Sequence, residues 1–364
     1  MSNVYKKNDL SVAIVGPISP PNGGMAMQGK LLSERLKSEG VSVGYVPVNF
    51  SLRPYWLNNI RIMRAVIRFF IYLSKLRAAT KKYKIFHILA NSGLSWYLYA
   101  TPAIAIAKLK RCYVIINYRG GNAQSFFHKH KSWILPFLKC ADQIIVPSDF
   151  LKDVFKTYDL DAKIIPNIVA ENKEHSLRPI KLNDNMNLIV TRNLESIYGI
   201  ETIIRAFYRV SQSYPKVTLK IAGSGSEREN LEKLVQQLSL TDSVEFLGRL
   251  ARNQMTELYL SADILLNAST VDNMPNAILE AQSFGVPVIS TDVGGIPFIV
   301  KNDVNAILIK PRNPESMAEA IIHLIKNPAL RERLSLNGLE NIQNYTWEKI
   351  GPQWMDSYYG KECR

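Results

Sequence analysis

Short runs of β-branched and other apolar residues alternate along the whole chain with longer stretches of helical periodicity. This alternation is typical of parallel sheets whose strands are joined by crossover helices. It predicts six strands in each half of the chain, at residues 11–16, 41–47, 85–89, 112–117, 142–146 and 162–165, and at residues 187–191, 217–222, 244–247, 263–267, 286–290 and 306–309. We therefore expect an α/β protein with two doubly wound parallel sheets.

A polar segment rich in Pro and Asn and without periodicity, residues 166–186, separates the two halves and has the composition of a linker. We place an N-terminal domain at residues 1–170, the linker at 171–186 and a C-terminal domain at 187–346. Ligands of open α/β sheets bind outside the carboxyl ends of the strands. Two such domains facing a central cleft would therefore place a functional site on its two sides.

The composition is that of a globular protein, with 364 residues, 47% apolar and 21% charged. The cysteines, Cys112, Cys140 and Cys363, are odd in number and far apart, which favours a reducing compartment. The first apolar run, 11–16, is too short for a signal peptide, and no window has the roughly 20 apolar residues of a membrane span. We expect a cytoplasmic protein, at most peripheral to a membrane.

Positive charge is concentrated in the first half. Residues 1–165 contain 24 Lys and Arg against 8 Asp and Glu, whereas residues 166–364 contain 21 against 23. The segment 53–84 mixes aromatic and bulky apolar residues with basic ones and contains no acid, which suits a helix lying on an anionic membrane surface. The alternative is that five of its apolar residues pack in the core of the first domain: Ile62, Val66, Phe69, Phe70 and Leu73. Residues 94–107 are short and contain Pro102, which indicates a buried crossover helix.

The segment 264–300 carries the strongest chemical signal, and its pattern predicts a strand, a loop, a helix, a strand and a Gly-Gly loop. Its helix should begin around Pro275 and Asn276 and end before Gly285. A helix N terminus offers backbone N–H groups and the positive end of a dipole, which is a common phosphate site. Asp272 and Glu280 lie in the loop and about one turn into the helix. Taken alone, the two could equally be solvated surface acids.

The same segment resembles retaining glycosyltransferase family 4, whose fold is GT-B, two Rossmann-like domains. The match is an acid, seven residues, Glu-Ala and then a Gly-x-Pro-Val strand, which here are Asp272, Glu280, Ala281, Gly285, Pro287 and Val288. The resemblance implies that Glu280 holds the ribose hydroxyls of a nucleotide-sugar. It also implies that Asp272 acts at the donor sugar and diphosphate with the backbone of Asn273, Met274, Pro275 and Asn276. The family's usual residue at the first position is Glu, and Asp is shorter.

A second resemblance to the family is Thr191-Arg192-Asn193-Leu194 followed by Tyr198-Gly199. In the family, an Arg and a Lys at this strand-to-helix turn reach the departing diphosphate, where cations stabilise the developing charge. This chain keeps Arg192 and has Tyr198 where Lys is usual. Either Tyr198 donates a hydrogen bond instead, or another cation replaces the lysine.

Three further loops resemble family segments near the ligands. Gly223, with Gly225 after it, resembles the turn beside the nucleotide, although two glycines after a strand often form only a tight turn. Arg249 and Leu250 resemble the segment that receives the base. In the first half, Gly23 and Gly24 resemble the loop near the donor phosphates and the acceptor, and Arg119 stands where many relatives have a His beside the reacting sugar carbon.

No metal or other cofactor is expected. His128 and His130 lack a third ligand nearby, which favours a solvated basic loop. The resemblance also implies that the last helix, residues 347–364, returns to the first domain and completes it.

The sequence thus indicates a retaining glycosyltransferase that takes a nucleotide-sugar donor and acts on a lipid-linked or polysaccharide acceptor, such as a growing bacterial surface polysaccharide. The alternative enzyme is a nucleotide-sugar epimerase of the same fold, which needs no acceptor surface. The alternative from another class is a basic protein that binds nucleic acid or a membrane, for which no nucleic-acid recognition motif is found. We expect no nucleic-acid partner, but an anionic membrane surface is a candidate partner.

Overall fold

The structure is a computed structural model that describes residues 10–19, 23–52, 61–170 and 185–359, with the side chains of residues 61 and 62 left aside. The predicted linker lies outside the described residues except at its last two positions. Cys363 and the Pro20–Asn22 part of the first glycine loop also lie outside them.

Two compact units divide the chain. One comprises Met1–Ile168 together with Trp347–Arg364, and the other comprises Val169–Thr346. The first unit contains one six-stranded parallel sheet in the order β2-β1-β3-β4-β5-β6. Its strands are β1 (Ser11–Gly16), β2 (Ser42–Pro47), β3 (Ile85–Ala90), β4 (Tyr113–Tyr118), β5 (Gln143–Val146) and β6 (Lys163–Ile164).

Helices cross between these strands, as parallel pairing requires. They are α1 (Gly24–Ser38), α2 (Arg61–Thr80), α3 (Thr101–Leu109), α4 (Ala123–Cys140) and α5 (Asp149–Lys156), and a π-helical turn at Trp96–Ala100 leads directly into α3. α5 begins where Ser148 Oγ accepts a 3.3 Å hydrogen bond from the Leu151 N–H, a local N-cap.

The second unit repeats the architecture with the sheet order β12-β11-β10-β7-β8-β9. Its strands are β7 (Asn187–Thr191), β8 (Thr218–Ala222), β9 (Val244–Gly248), β10 (Ile264–Asn267), β11 (Val288–Thr291) and β12 (Ile307–Ile309). Its helices are α6 (Ile200–Ser213), α7 (Arg228–Gln237), α8 (Arg252–Ser261), α9 (Asn276–Ser283), α10 (Ile296–Ile299), α11 (Pro314–Lys326) and α12 (Pro328–Ile342). The chain then passes a 3-10 turn at Gln343–Tyr345 and enters α13 (Trp347–Tyr359). All twelve strand predictions are confirmed to within two residues.

Both faces of each sheet are buried, which explains why the strands appear in the sequence as continuous apolar runs. In β1, Ala13 and Val15 face one core while Val12 and Ile14 face another. The second of these cores includes Trp354 and Tyr358 of α13, so the last helix packs in the first unit.

Residues 61–80 of the basic segment form α2, and the alternative of core packing is wrong for two of the five apolar residues named for it. Val66 and Phe70 are 50% and 64% exposed, whereas Leu73 packs against the core and Phe69 is partly buried. The fully buried face is instead Tyr72, Leu76 and Ala79. These three are spaced i, i+4 and i+7, and positions 66 and 70 lie out of phase with them. Ile62 lies outside the described side chains.

The crossover predicted at residues 94–107 is helical from Leu94 onward, with Pro102 in the first turn of α3. Trp96, Ala103 and Ala107 are buried, while Leu94, at the start of the helical segment, is exposed.

Within the described ranges, no helix has the length and apolar content needed to cross a bilayer.

Replacing Trp354 should destabilise the first unit. The side chain is 2% exposed, and its ring lies 4.9 Å from that of His87. We expect Trp354→Ala to lower the free energy of unfolding by about 3–5 kcal/mol through loss of buried area and cavity formation. Urea unfolding measures the change. Trp133, 70% exposed in the same unit, provides the matched control, for which we expect Trp133→Ala to change stability by at most about 0.5 kcal/mol. Equal effects of the two changes would contradict this account.

Candidate functional site

Three neighbouring strands of the second unit end beside one another, because β10, β7 and β8 are adjacent and parallel. Arg192 follows β7, Gly223 follows β8, and the loop 268–275 follows β10. Carboxyl ends of parallel strands meet at one edge of the sheet, so the family-like residues of this unit collect there.

Arg192 and Asp272 form an ion pair at this edge through Nη2 and Oδ2. Their side chains are 12% and 14% exposed, so the pair is shielded from water and its attraction is stronger than on a surface. Ser269 Oγ donates to Asp272 Oδ2 at 3.3 Å. Sequence reasoning missed this serine as part of the site, since no residue spacing links it to Arg192.

Tyr198 lies beneath Arg192, with the guanidinium carbon 4.1 Å from the ring centroid. This is a cation–π contact. This geometry favours a third interpretation of Tyr198, beside the two considered above. Tyr198 stands where the family has Lys, and it supports the Arg192 guanidinium.

The loop containing Asp272 is held by its own backbone and by the glycines that follow β11. Asp272 Oδ1 accepts from the Asn273 N–H at 2.9 Å, and the Gly295 N–H donates to the Asp272 carbonyl at 3.1 Å. A Cβ on Gly294 or Gly295 would lie 2.0 Å from the carbonyl oxygen of Asp272 or Asn273, respectively. Any side chain at either glycine would therefore displace the loop.

α9 begins at Asn276 and ends at Ser283, with Gly285 beyond it at φ +65°, which confirms the predicted helix bounds. Pro275 precedes the first helical residue, and Met274 and Pro275 are buried. The positive end of the helix dipole therefore lies directly after the Asp272 loop.

Glu280 lies one turn into α9, where Tyr259 Oη donates to its Oε2 at 2.9 Å. Burial raises the pKa of Glu280, and the hydrogen bond from Tyr259 and the charge of Arg192 act in the opposite direction. Glu280 is partly exposed.

Gly223 closes the turn after β8 against the Arg192 backbone. Its φ is +155°, and a Cβ would lie 1.9 Å from the Arg192 carbonyl oxygen. Beside it, Arg249 Nε donates to Ser224 Oγ at 2.6 Å, while Asn193 is exposed. Leu250 packs partly into the core below. The structure thus brings Gly223 and Arg249 to the Arg192 loop.

The remaining predicted residues, Gly23, Gly24 and Arg119, belong to the first unit. Gly24 opens α1, and the Gly23 carbonyl accepts from the Met27 N–H at 3.0 Å. A Cβ on Gly23 would meet no described atom within 4 Å, so the described residues leave open space at this loop.

Arg119 heads a buried chain of polar groups. Its Nη2 donates to Asn167 Oδ1, and its Nη1 lies 3.4 Å from Asn117 Oδ1. A guanidinium only donates, so Asn117 must present its oxygen to Arg119 and its Nδ2 to His87 Nε2, 3.0 Å away. His87 Nε2 must then be unprotonated, and His87 Nδ1 donates to Tyr358 Oη at 2.6 Å. The last helix therefore helps to orient Arg119.

Burial and the nearby Arg119 charge lower the pKa of His87 to about 3, and burial lowers the pKa of Arg119 to about 10. A small cavity borders this chain, lined by Gln28, Leu32, Leu89, Asn117, Arg119, Pro166, Ile168 and Trp354.

The described residues contain no group of three His, Cys, Asp or Glu side chains placed to hold a metal ion.

Comparison with known proteins finds a family match in the second unit. Residues 172–341 match the family described as Glycosyl transferases group 1. An uncharacterized glycosyltransferase of Methanocaldococcus jannaschii is 31% identical over 232 residues, 59% of each chain. A component of the phosphatidylinositol N-acetylglucosaminyltransferase of Arabidopsis thaliana is 30% identical over 229 residues, 61% of this chain and 50% of that protein. The chain thus spans between half and three fifths of the length of these two relatives.

Among solved structures, Anabaena HepE in complex with UDP-glucose superposes with a TM-score of 0.75 at 16% identity, covering 96% of this chain and 100% of that one. The two six-stranded parallel sheets with flanking helices are those of the GT-B fold, which confirms the fold prediction.

The neutral His87 should make the first unit sensitive to acid. The ordinary pKa of 6.5 applies when the chain is unfolded, and about 3 applies when it is folded. Below pH 6.5 the unfolded chain therefore binds a proton that the folded chain excludes, and stability falls as the pH falls toward 3. We expect wild type to lose up to about 1.4 kcal/mol per pH unit relative to His87→Gln in this window. Urea unfolding at several pH values measures the difference, and parallel curves for the two proteins would contradict the neutral assignment.

Proposed function

We propose that this chain is a retaining glycosyltransferase of family 4. The starting point is the match of residues 172–341 to the glycosyl transferases group 1 family. It moves a sugar from a nucleotide-sugar donor to an acceptor hydroxyl. The observation that carries the proposal is the collection of Arg192, Asp272, Glu280 and the start of α9 at one strand edge of the matched domain.

Each of these groups suits one part of a nucleotide-sugar. The Glu280 carboxylate accepts from the ribose hydroxyls, and the loop from Asp272 to Asn276 receives the sugar and the diphosphate. Arg192 and the α9 dipole stabilise the negative charge that grows on the departing diphosphate. Because these two supply the positive charge, we propose that transfer needs no metal ion.

The reaction exchanges one bond at the anomeric carbon. The acceptor oxygen bonds to this carbon on the face from which the diphosphate oxygen departs, and the acceptor proton passes to the diphosphate. The configuration of the donor is thereby retained, which NMR of the product tests. Tyr198 contributes by fixing the Arg192 guanidinium through the cation–π contact.

The first unit is proposed to receive the acceptor. Arg119 is partly buried, charged and held by Asn117 and Asn167, so it offers a fixed cation beside the small cavity. Gly23 leaves space at the start of α1 for close approach of a ligand.

We further propose that the acceptor is lipid-linked or a polysaccharide and that the protein works at the inner face of the plasma membrane. On α2, Val66, Phe70 and Arg77 are exposed and share a helix face, since their positions recur in phase at 3.6 residues per turn. The exposed Lys81 directly follows the helix. Exposed apolar and basic side chains without acids fit an anionic lipid surface. The Arabidopsis relative is named for phosphatidylinositol, which is a lipid.

Nucleotide binding tests the donor site. A ligand that binds only the folded state raises the melting temperature. Among UDP, GDP, ADP and their sugars, without metal, we expect at least one to stabilise wild type, by about 2–3 kcal/mol at 100 times its Kd. Glu280→Ala should abolish the shift. Glu319→Ala, an exposed glutamate of α11, should retain it. No shift with any nucleotide at millimolar concentration would refute the proposed function.

Vesicle binding tests the membrane surface. We expect wild type to sediment with phosphatidylglycerol vesicles at low salt, and Phe70→Glu to lower the partition coefficient about tenfold or more through loss of apolar contact and added negative charge. Phe298→Glu, at a phenylalanine 50% exposed in the second unit, is the matched control and should bind as wild type. Salt-sensitive binding to RNA without vesicle binding would favour the nucleic-acid alternative.

A further inference from the structure

Three oxygen-bearing side chains form a continuous hydrogen-bonded row in the second unit. Thr191 Oγ1 lies 2.8 Å from Tyr259 Oη, which lies 2.9 Å from Glu280 Oε2. Thr191 ends β7, Tyr259 lies on α8 and Glu280 on α9, so the row joins three elements.

The chemistry of the groups fixes the direction of the row. An ionised carboxylate only accepts, so Tyr259 must give its single proton to Glu280. The phenol oxygen then has only lone pairs for Thr191, and the threonine hydroxyl must donate to it. Donation from Thr191 polarises the phenol and strengthens its bond to the carboxylate.

Tyr259 is rigidly placed. Its side chain is 1% exposed, and its ring stacks on that of Phe284 with centroids 5.2 Å apart and an interplanar angle of 11°. A fixed phenol fixes the carboxylate oxygen that it binds. The described residues give the other oxygen, Glu280 Oε1, no hydrogen bond, so that oxygen is available to a ligand.

We propose that Tyr259 is a positioning residue for the nucleotide. By holding Oε2, it turns the Glu280 carboxylate into one orientation that presents Oε1 to the ribose hydroxyls of the donor. Thr191 completes the arrangement from the strand that also carries Arg192. The inference rests on the proposed function, because it assigns Tyr259 a task at the donor site.

Protonation links this geometry to pH. Burial raises the pKa of Glu280, and the groups that oppose this are Tyr259 and Arg192. Burial and the Glu280 charge raise the pKa of Tyr259, which therefore remains a donor. Of the other charged groups nearby, Asp272 is paired with Arg192, and Arg331 of α12, which packs on α9, donates to backbone carbonyls. The neighbouring strands β10 and β11 carry Asn267 and Ser290, which are uncharged.

Removing the phenol hydroxyl of Tyr259 should therefore change the pKa of Glu280 in one direction. Without the donor, the ionised form of Glu280 loses stabilisation and its pKa rises. As pH falls, the carboxylate is then protonated earlier, and nucleotide affinity should begin to fall at a higher pH than in wild type.

The experiment is calorimetric titration of UDP, GDP and ADP between pH 5 and 8, continued with the nucleotide that wild type binds most tightly. We expect Tyr259→Phe, which keeps the stacked ring, to raise Kd about five- to tenfold at pH 7. Its affinity should also begin to fall at a higher pH. Thr191→Val should show a smaller loss in the same direction, and Thr191→Ser should restore affinity. Tyr345→Phe, at another buried tyrosine of this unit, should match wild type.

The outcomes separate the two claims. A Tyr259→Phe protein with wild-type Kd and an unshifted pH profile overturns the inference while leaving the donor site intact. An equal loss of affinity at every pH, together with a lowered melting temperature, also overturns it, because a purely structural role would produce that result. Failure of wild type to bind all three nucleotides overturns the proposed function and the inference with it.

Discussion

Parallel pairing of β10, β7 and β8 is the constraint on which the candidate donor site depends. In a parallel sheet the chain enters every strand at one edge and leaves it at the opposite edge. The loops that follow the three strands therefore meet at the same edge. Arg192, Gly223 and Asp272 are far apart in sequence and come together for this reason alone. The partly buried ion pair between Arg192 and Asp272 then joins two of the loops directly.

Close backbone contact between the loops also holds this arrangement. Gly223 lies against the Arg192 carbonyl, and Gly294 lies against that of Asp272, each at a distance that admits no Cβ. Gly199, at φ +62°, approaches the Ala268 carbonyl in the same way. Glycines thus surround both members of the ion pair, and their absent side chains allow the loops to interlock. The precision of the site comes from this close backbone packing.

The sequence predicted the strands well because both faces of each sheet are buried, which leaves β-branched runs such as 11–16 and 187–191 plainly visible. The bounds of α9 were also predictable, since Pro275 and Gly285 act locally. The phase of α2 was not, because burial of Tyr72 rather than Val66 depends on tertiary packing. The partners of the candidate residues were equally hidden: Ser269, Tyr259 and Asn167 reach Asp272, Glu280 and Arg119 only after folding.

The Arg192–Asp272 pair also bears on how a site can be prepared for its ligand. A buried cation without a partner would be strongly destabilising, and a carboxylate neighbour removes most of that penalty. The diphosphate of the proposed donor would bring negative charge to the same place, so the guanidinium could bind it without leaving its position on the Tyr198 ring. Under the proposed function, the charge that stabilises the departing diphosphate is already oriented before the donor arrives, and little reorganisation remains for the reaction itself. The stability of the site and its proposed chemistry therefore draw on the same ion pair.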